Sequence, residues 1–172
     1  MDVHEPHPFL RKPLALLPRG RVLELAMGDG HNAIFLARQG FAVSGVDISD
    51  VAVERSVRLS QAAGLTIEAQ RMDLRTTTLP ADTYDVVACF SYRQGDLFPQ
   101  IINTLKTGGM VIYETFTSEQ ARYGHPTNPA SLLQPNELLE AFRAFRIRVY
   151  RDLIVPGPKA VASLIGEKDV PC

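Results

Sequence analysis

The chain has 172 residues, of which 45% are hydrophobic and 22% charged, with a formal net charge of −1. That length buries one core and is too short for two domains of ordinary size, so residues 1–172 are expected to form a single domain. The composition excludes disordered and fibrous classes, and the near-zero charge gives no general attraction to nucleic acid or to an anionic membrane.

Residues 1–20 carry four prolines, which rules out a long helix and leaves a short turn around Phe9 to Leu17. Phe9, Leu10, Leu14 and Leu17 can share one face, as an arm packed over the sheet edge rather than a cofactor lid. The opening MDVHEPHPFLRKP lacks the apolar core of a signal peptide, and no later stretch has the length of a membrane span, so a cytoplasmic protein is expected. His4 and His7 read as arm residues rather than metal ligands.

Arg21 to Leu25 is a predicted strand, followed from near His31 by a helix that turns Ala33, Ile34, Leu36 and Ala37 inward and ends at Gly40. Phe41 to Val46 is the second strand. Ser49 caps the next helix, with Asp50 in its first turn and Val53 and Val57 a turn apart, until Gly64. A weak third strand, Leu65 to Gln70, leads to Met72 and Asp73, and Thr76 to Asp82 is polar connector. The apolar run Tyr84 to Phe90 suits a strand covered on both faces.

Asp96 can cap a helix in which Leu97, Ile101 and Leu105 repeat every fourth residue, broken by Gly108-Gly109 before a fifth strand, Met110 to Thr115. Residues 116–134 are too long for a simple connector and form a candidate substrate-side loop. Pro135 opens a helix through Leu138, Leu139 and Phe142. Arg146 to Leu153 and Lys159 to Ile165, joined by Pro156-Gly157-Pro158, read as a closing antiparallel hairpin.

Strands alternating with helices imply an α/β fold, a Rossmann-like, doubly wound, mostly parallel sheet with helices on both faces. Ligands in such sheets bind at the carboxyl ends of the strands beside the first one, where Gly28, Asp47, Asp73 and the stretch from Phe90 to Arg93 converge. Gly28 and Gly30 permit positive φ and close approach of a ligand to the backbone. The helix N-terminus that follows favours electron-rich groups.

Gly28, Gly30 and Ala33 satisfy G-x-G-x-x-A, a pattern that suits a dinucleotide as well as S-adenosylmethionine. Glu24 separates the two. A carboxylate four residues before the first glycine faces a cationic amine or sulfonium and repels a pyrophosphate. Asp47 can accept from ribose hydroxyls in either case.

The succession E-L-A-M-G-D-G, V-D-I-S, M-D-L, D-V-V and L-K-T-G-G resembles the class I S-adenosylmethionine-dependent methyltransferases, from about Phe9 to Lys168. The closing hairpin matches their seven-stranded sheet with a reversed C-terminal strand. N-A-I-F-L-A-R-Q-G after the glycine turn and Y-E-T-F-T-S-E-Q after the fifth strand are most similar to the small bacterial TehB-like, tellurite-resistance-type group. The resemblance implies that Glu24 stands near the methionine amino group, with Ala26, Gly28, Gly30 and Asn32 around methionine and ribose. It places Asp47 on the ribose hydroxyls, Ile48 beside the adenine, and Met72, Asp73 and Leu74 at the adenine edge, with Cys89, Phe90 and Ser91 on the methionine side. Glu24, Ala26 and Met27 depart from the commoner D-x-G-C-G-x-G form.

The implied activity is methyl transfer to a small molecule, by in-line displacement, at an oxygen or a soft sulfur, selenium or tellurium nucleophile. Tyr92, Arg93, the stretch from Glu114 to Phe116, Tyr123 and His125 are candidates to face the methyl group, and Arg93 either holds an anionic substrate or is solvated. His31 either touches the cofactor carboxylate or only opens its helix. Cys89 is expected to be a buried apolar residue, and with Cys172 far away there is no disulfide scaffold and no metal spacing. No Asn-Pro-Pro-aromatic sequence follows YDVVACF and no basic aromatic patch suggests nucleic acid. An NAD-dependent oxidoreductase and a cofactor-binding module without turnover remain the alternatives.

Overall fold

The structure, a computed structural model, describes residues 5–169; His4 and Cys172, both read from the sequence above, lie outside them. In chain order the elements are α1 (Pro8–Arg11), β1 (Arg21–Leu25), α2 (His31–Arg38), β2 (Ala42–Asp47), α3 (Asp50–Ala62), β3 (Glu68–Arg71) and β4 (Tyr84–Phe90). They continue with α4 (Leu97–Thr104), β5 (Leu105–Phe116), α5 (Glu137–Ala141), β6 (Arg146–Val155) and β7 (Lys159–Glu167). The seven strands form one sheet in the order β3-β2-β1-β4-β5-β7-β6. Strands β1 to β5 pair in parallel, and β7 runs antiparallel to both β5 and β6. This is the fold expected from the sequence, with the reversed strand inserted between β5 and β6. Among the described residues no helix is long and apolar enough to cross a membrane.

Strand alternation assigns side chains to the two faces. Leu23, Leu25, Val87, Cys89, Val111, Tyr113 and Leu164 turn to one core, closed by Leu97, Phe98 and Ile101 of α4 and by Leu138 and Phe142. Val22, Val86, Ala88, Phe90, Ile112 and Ile165 turn to the other, where Ala33 and Leu36 of α2 meet Phe9, Leu10 and Leu17. The N-terminal arm therefore lies on a sheet face and contributes to a core, where an edge position was expected.

Other boundaries shift for local reasons. Leu105 continues the fourfold spacing of Leu97 and Ile101, but α4 ends at Thr104 and Leu105 pairs with Tyr84 as the start of a longer β5. Asp96 occupies the N-cap position without a capping bond, because its Oδ1 accepts from Gln94 Nε2 at 2.7 Å. Pro135 stands just ahead of α5, whose N-cap is Asn136 at φ 63°. On α3 the buried face consists of Ser56 and Ser60, while Val53 and Val57 are half-buried. Small side chains there let α3 approach the glycine turn.

Gly30 is where that approach is tightest. A Cβ at this residue would lie 2.8 Å from Ser56 Cβ, and its φ of +80° disfavours any side chain. Gly28 has φ +56° but no atom within 4 Å of a notional Cβ. Gly30→Ala should therefore lower unfolding free energy by about 2–4 kcal/mol, from overpacking added to left-handed strain. Gly28→Ala should lose only about 1–2 kcal/mol, the conformational part. Urea melts of both variants test the difference.

Candidate functional site

The carboxyl ends of β1, β2 and β4 build the first half of the site. After Leu25 the chain turns sharply: Ala26 takes φ 51°, and the Met27 N–H bonds the Val46 carbonyl at 3.0 Å, tying the turn to β2. Asp47 accepts from the Gly28 N–H and the Ser49 N–H, both at 2.9 Å. Each carboxylate oxygen keeps a further lone pair toward a cavity of about 350 Å³ lined by Ala26, Asp47, Ile48, Met72, Asp73, Leu74, Arg75 and Tyr92. Residues placed by the sequence at a ribose and an adenine edge thus share one hollow, with Ile48 exposed beside it.

Arg75 was not foreseen. Its guanidinium grips both Asp73 oxygens, Nε to Oδ1 at 2.9 Å and Nη2 to Oδ2 at 2.8 Å. Those bonds and the Arg75 N–H hold the Asp73 carboxyl down at about 2. An adenine amino group bonding Asp73 would have to share it with this clamp.

Glu24 lies behind the turn, 2% exposed. Its Oε1 accepts from Asn32 Nδ2 at 2.9 Å, whereas Oε2 is buried without any partner. Burial pushes its carboxyl up to about 8, against the Asn32 and Ala33 hydrogen bonds. Asn32 is a bridge, since its Oδ1 accepts the His7 N–H of the arm at 2.7 Å. Glu24, Gly28, Gly30 and Asn32 form a layer that lines neither this cavity nor the next one.

The second half of the site is a row of side chains across one sheet face. Phe90, Glu114, Ser163 and Arg151 are register partners on β4, β5, β7 and β6. Ser163 Oγ donates to Glu114 Oε2, Arg151 Nη2 reaches the same oxygen at 3.0 Å, and Arg151 Nε reaches Ser163 at 3.1 Å. The His7 ring stacks on Phe90 at 4.4 Å with its Nε2 3.3 Å from Glu114 Oε1. Its Nδ1 accepts the Phe9 N–H at 3.2 Å, so the ring is neutral with the proton on Nε2, and burial lowers its pKa. These residues border a second cavity of about 430 Å³ reaching out to Phe116, Val155, Pro156, Lys159 and Val161. Ser91, at φ 56°, walls this cavity, and Tyr92 beside it walls the first.

Several predicted residues fall elsewhere. Cys89 sits in the core on the opposite face, its thiol pushed up to about 12 by burial. It behaves as the buried apolar residue expected of it, and the placement on the methionine side fails because successive strand residues point to opposite faces. Phe90 faces the site but lies under His7. Arg93 lines neither cavity: its guanidinium bonds Glu137 Oε1 at 2.9 Å and the Ala130 carbonyl at 2.9 Å, so it is neither solvated nor turned to a substrate. His125 is exposed in the loop and lines neither cavity, and Tyr92 Oη donates to Gln94 Oε1. Among the described residues no group of three His, Cys, Asp or Glu side chains is placed to hold a metal. Arg151, Ser163 and His7 escaped the sequence reading. For Arg151 and Ser163 the available signal was polar residues inside apolar runs, Arg151-Asp152 in VYRDLIV and Ser163 in AVASLIG.

The family model described as a methyltransferase domain matches residues 22–109, from β1 to the glycines of β5 and just over half of the 172 residues. The chain belongs to this methyltransferase-domain family. The S-adenosyl-L-methionine-dependent Diels-Alderase iccD of Talaromyces variabilis is 41% identical over 76 residues, 42% of this chain and 26% of that protein. Hemagglutinin 1 of Eikenella corrodens is 30% identical over 99 residues, 56% of this chain and 33% of that protein. This methyltransferase-domain chain thus spans about a quarter to a third of the curated relatives it matches. The TehB structure from Haemophilus influenzae superposes with a TM-score of 0.80 at 15% identity, over 95% of this chain and 62% of that one.

If Arg93 fastens the loop rather than meeting a ligand, Arg93→Ala should lower stability by about 1–3 kcal/mol, the cost of leaving half-buried Glu137 unpaired. Cofactor affinity should not change. Thermal melts and calorimetric titration on the same preparation separate the two effects.

Proposed function

We propose that this methyltransferase-domain protein is an S-adenosylmethionine-dependent methyltransferase acting on a small molecule, with the adenosyl group in the 350 Å³ cavity. The observation that carries the reading is Glu24 Oε2, a carboxylate oxygen buried without a partner beside a bare glycine corner. An unpaired buried acceptor of that kind fits the ammonium of a methionine moiety. It fits no part of a pyrophosphate, which favours this reading over an NAD-dependent oxidoreductase. Asp47 would take the ribose hydroxyls, Ile48, Met72 and Leu74 the adenine faces, and Gly28 the close passage past the turn.

Bound S-adenosylmethionine supplies a methyl carbon already activated as a sulfonium. The chain has to orient the acceptor and exclude water. Phe90, Ser91 and the arm would stand between adenosyl and acceptor cavities and perform both tasks. No unengaged base faces the partition among the described residues: His7 Nδ1 is capped by Phe9 and Glu114 is met by Ser163, Arg151 and His7. An acceptor that needs no general base suits that arrangement.

The proposal extends to the TehB-like group and a soft acceptor, supported by N-A-I-F-L-A-R-Q-G and by the likeness in fold. It treats residues 1–172 as one domain in which the arm 1–20 and the loop 116–134 stand on the substrate side. His7 and Phe116 at the second cavity support this. A cytoplasmic setting agrees with the free Cys89 thiol. The relative named a Diels-Alderase favours one second reading, cofactor binding without methyl transfer. Transfer of labelled methyl groups to an acceptor panel decides between them.

Glu24 gives a pH signature. Its carboxyl, raised to about 8, makes the folded state bind more protons than the unfolded chain. The window runs from the ordinary Glu value of about 4.3 up to that pH, so this group's contribution to stability is lost as pH rises through it. The melting temperature of the protein should fall between about pH 5 and pH 8 relative to that of Glu24→Gln. Pairing with an ammonium reverses the preference and expels the proton. S-adenosylhomocysteine should bind more tightly with rising pH, by up to about tenfold per unit below pH 8, with net proton release in calorimetry. An affinity independent of pH, or equal in Glu24→Gln, would remove Glu24 from the cofactor site, and no binding at all would remove the cofactor.

A further inference from the structure

The 430 Å³ cavity has a built polar end and a bare apolar end. At the polar end Glu114, Ser163, Arg151 and His7 satisfy one another, as described above. At the other, Val155, Pro156 and Val161 of the β6–β7 hairpin and Phe116 of β5 form walls, and Lys159 stands among them. Lys159 makes no ion pair among the described residues, and its ammonium is the one charge on the lining that no neighbour meets. With Glu114 balancing Arg151 and His7 neutral, the lining carries one uncompensated positive charge.

We propose that this cavity is the acceptor site and that it selects a small apolar monocarboxylate, its anion on Lys159 and its reacting end toward Ser91. That it receives the methyl acceptor rests on the cofactor reading above; that it binds such an anion does not. The volume sits at the lower end of the roughly 300–1,000 Å³ usual for small-molecule pockets, and aliphatic walls suit an alkyl or aryl body. A single flexible ammonium is a point charge matching one negative charge. A phosphate monoester, with nearly two charges and oxygens that call for several donors, would find few. The Arg151 fork is turned to Glu114 and Ser163, and the Phe9 N–H at the head of α1 is taken by the His7 ring.

Direction follows from the register. Lys159 lies four residues before Ser163 on β7, roughly 13 Å along the strand, and the Ser91 N–H bonds the Glu114 carbonyl opposite Ser163. A carboxylate on Lys159 is therefore held toward the hairpin end of the cavity, and the far end of the acceptor carries a thiolate, its proton already lost to solvent: the sulfur lone pair forms the bond to the methyl carbon as the methyl–sulfonium bond breaks, and S-adenosylhomocysteine leaves.

The test uses the intact protein with hexanoate, hexanamide, hexylammonium and hexyl phosphate as probes, followed by amide chemical shifts. Hexanoate should perturb Thr115, Val155 and Val161 and bind best. Lys159→Met should weaken it roughly fivefold, the change that about 1 kcal/mol gives, and Lys159→Arg should restore most of it. Equal binding of hexanamide or hexylammonium, tighter binding of hexyl phosphate, or no effect of Lys159→Met would overturn the proposal. S-adenosylhomocysteine titrated into the same sample keeps the two readings apart: its binding with no hexanoate site defeats only the acceptor class, and hexanoate binding without it defeats only the cofactor.

Discussion

A carboxyl group enclosed in a parallel strand is the constraint around which this site is arranged. Glu24 stands in R-V-L-E-L where an apolar residue would pack without cost, and enclosing a charge there is expensive unless it is paired. The fold meets the difficulty halfway: one oxygen takes the Asn32 amide, the other takes nothing, and the group holds its proton. Asn32 can reach Glu24 because the glycine turn starts α2 directly over β1. Its remaining oxygen takes the His7 N–H, so strand, helix and arm meet through one amide. Within that enclosure Oε2 is the one carboxyl oxygen left without a partner.

Glu114 shows the contrasting solution on the same face of the sheet. It is equally buried, but a guanidinium, a hydroxyl and an imidazole N–H converge on it. Glu114 already has its charge met by the Arg151 guanidinium and fixes the geometry of β5, β7, β6 and the arm, with Arg151 also lying over the Phe9 ring at 4.8 Å. Glu24 Oε2 has no such partner. The reversed strand matters here, since only the insertion of β7 beside β5 brings Ser163 and Arg151 into line with Glu114.

The strands, the glycine turn and the hairpin were legible because their signals are local: apolar runs, alternation, and glycines and prolines at the breaks. Asp47, Ile48, Met72, Asp73 and Leu74 were legible as a group because an α/β sheet gathers its strand ends whatever their side chains do. What failed depends on partners far away in sequence. Arg93 looks available until Glu137, 44 residues on, is placed against it. His7 looks like part of an idle arm until the arm folds over Phe90. Leu105 keeps a helical spacing, yet pairing with Tyr84 overrides it, as tertiary context overrides propensity. Cys89 was misplaced for a simpler reason, since a strand end that reaches a site brings only alternate side chains to it.

Ala26 and Ser91 show where the fold concentrates its strain. Both carry side chains at positive φ, both follow directly on strands, and those strands are neighbours paired through Leu25 and Cys89. Each such residue costs on the order of 1–2 kcal/mol that a glycine would spare. The Met27 N–H on Val46 and the Ser91 N–H on Glu114 hold the two turns in place. One turn forms a wall of the first cavity and the other a wall of its neighbour. The two turns lie side by side at the carboxyl edge and form a seam between the cavities. Left-handed side chains thus stand on both sides of this seam, and a hydrogen-bonded turn on each strand end holds the boundary between the cavities.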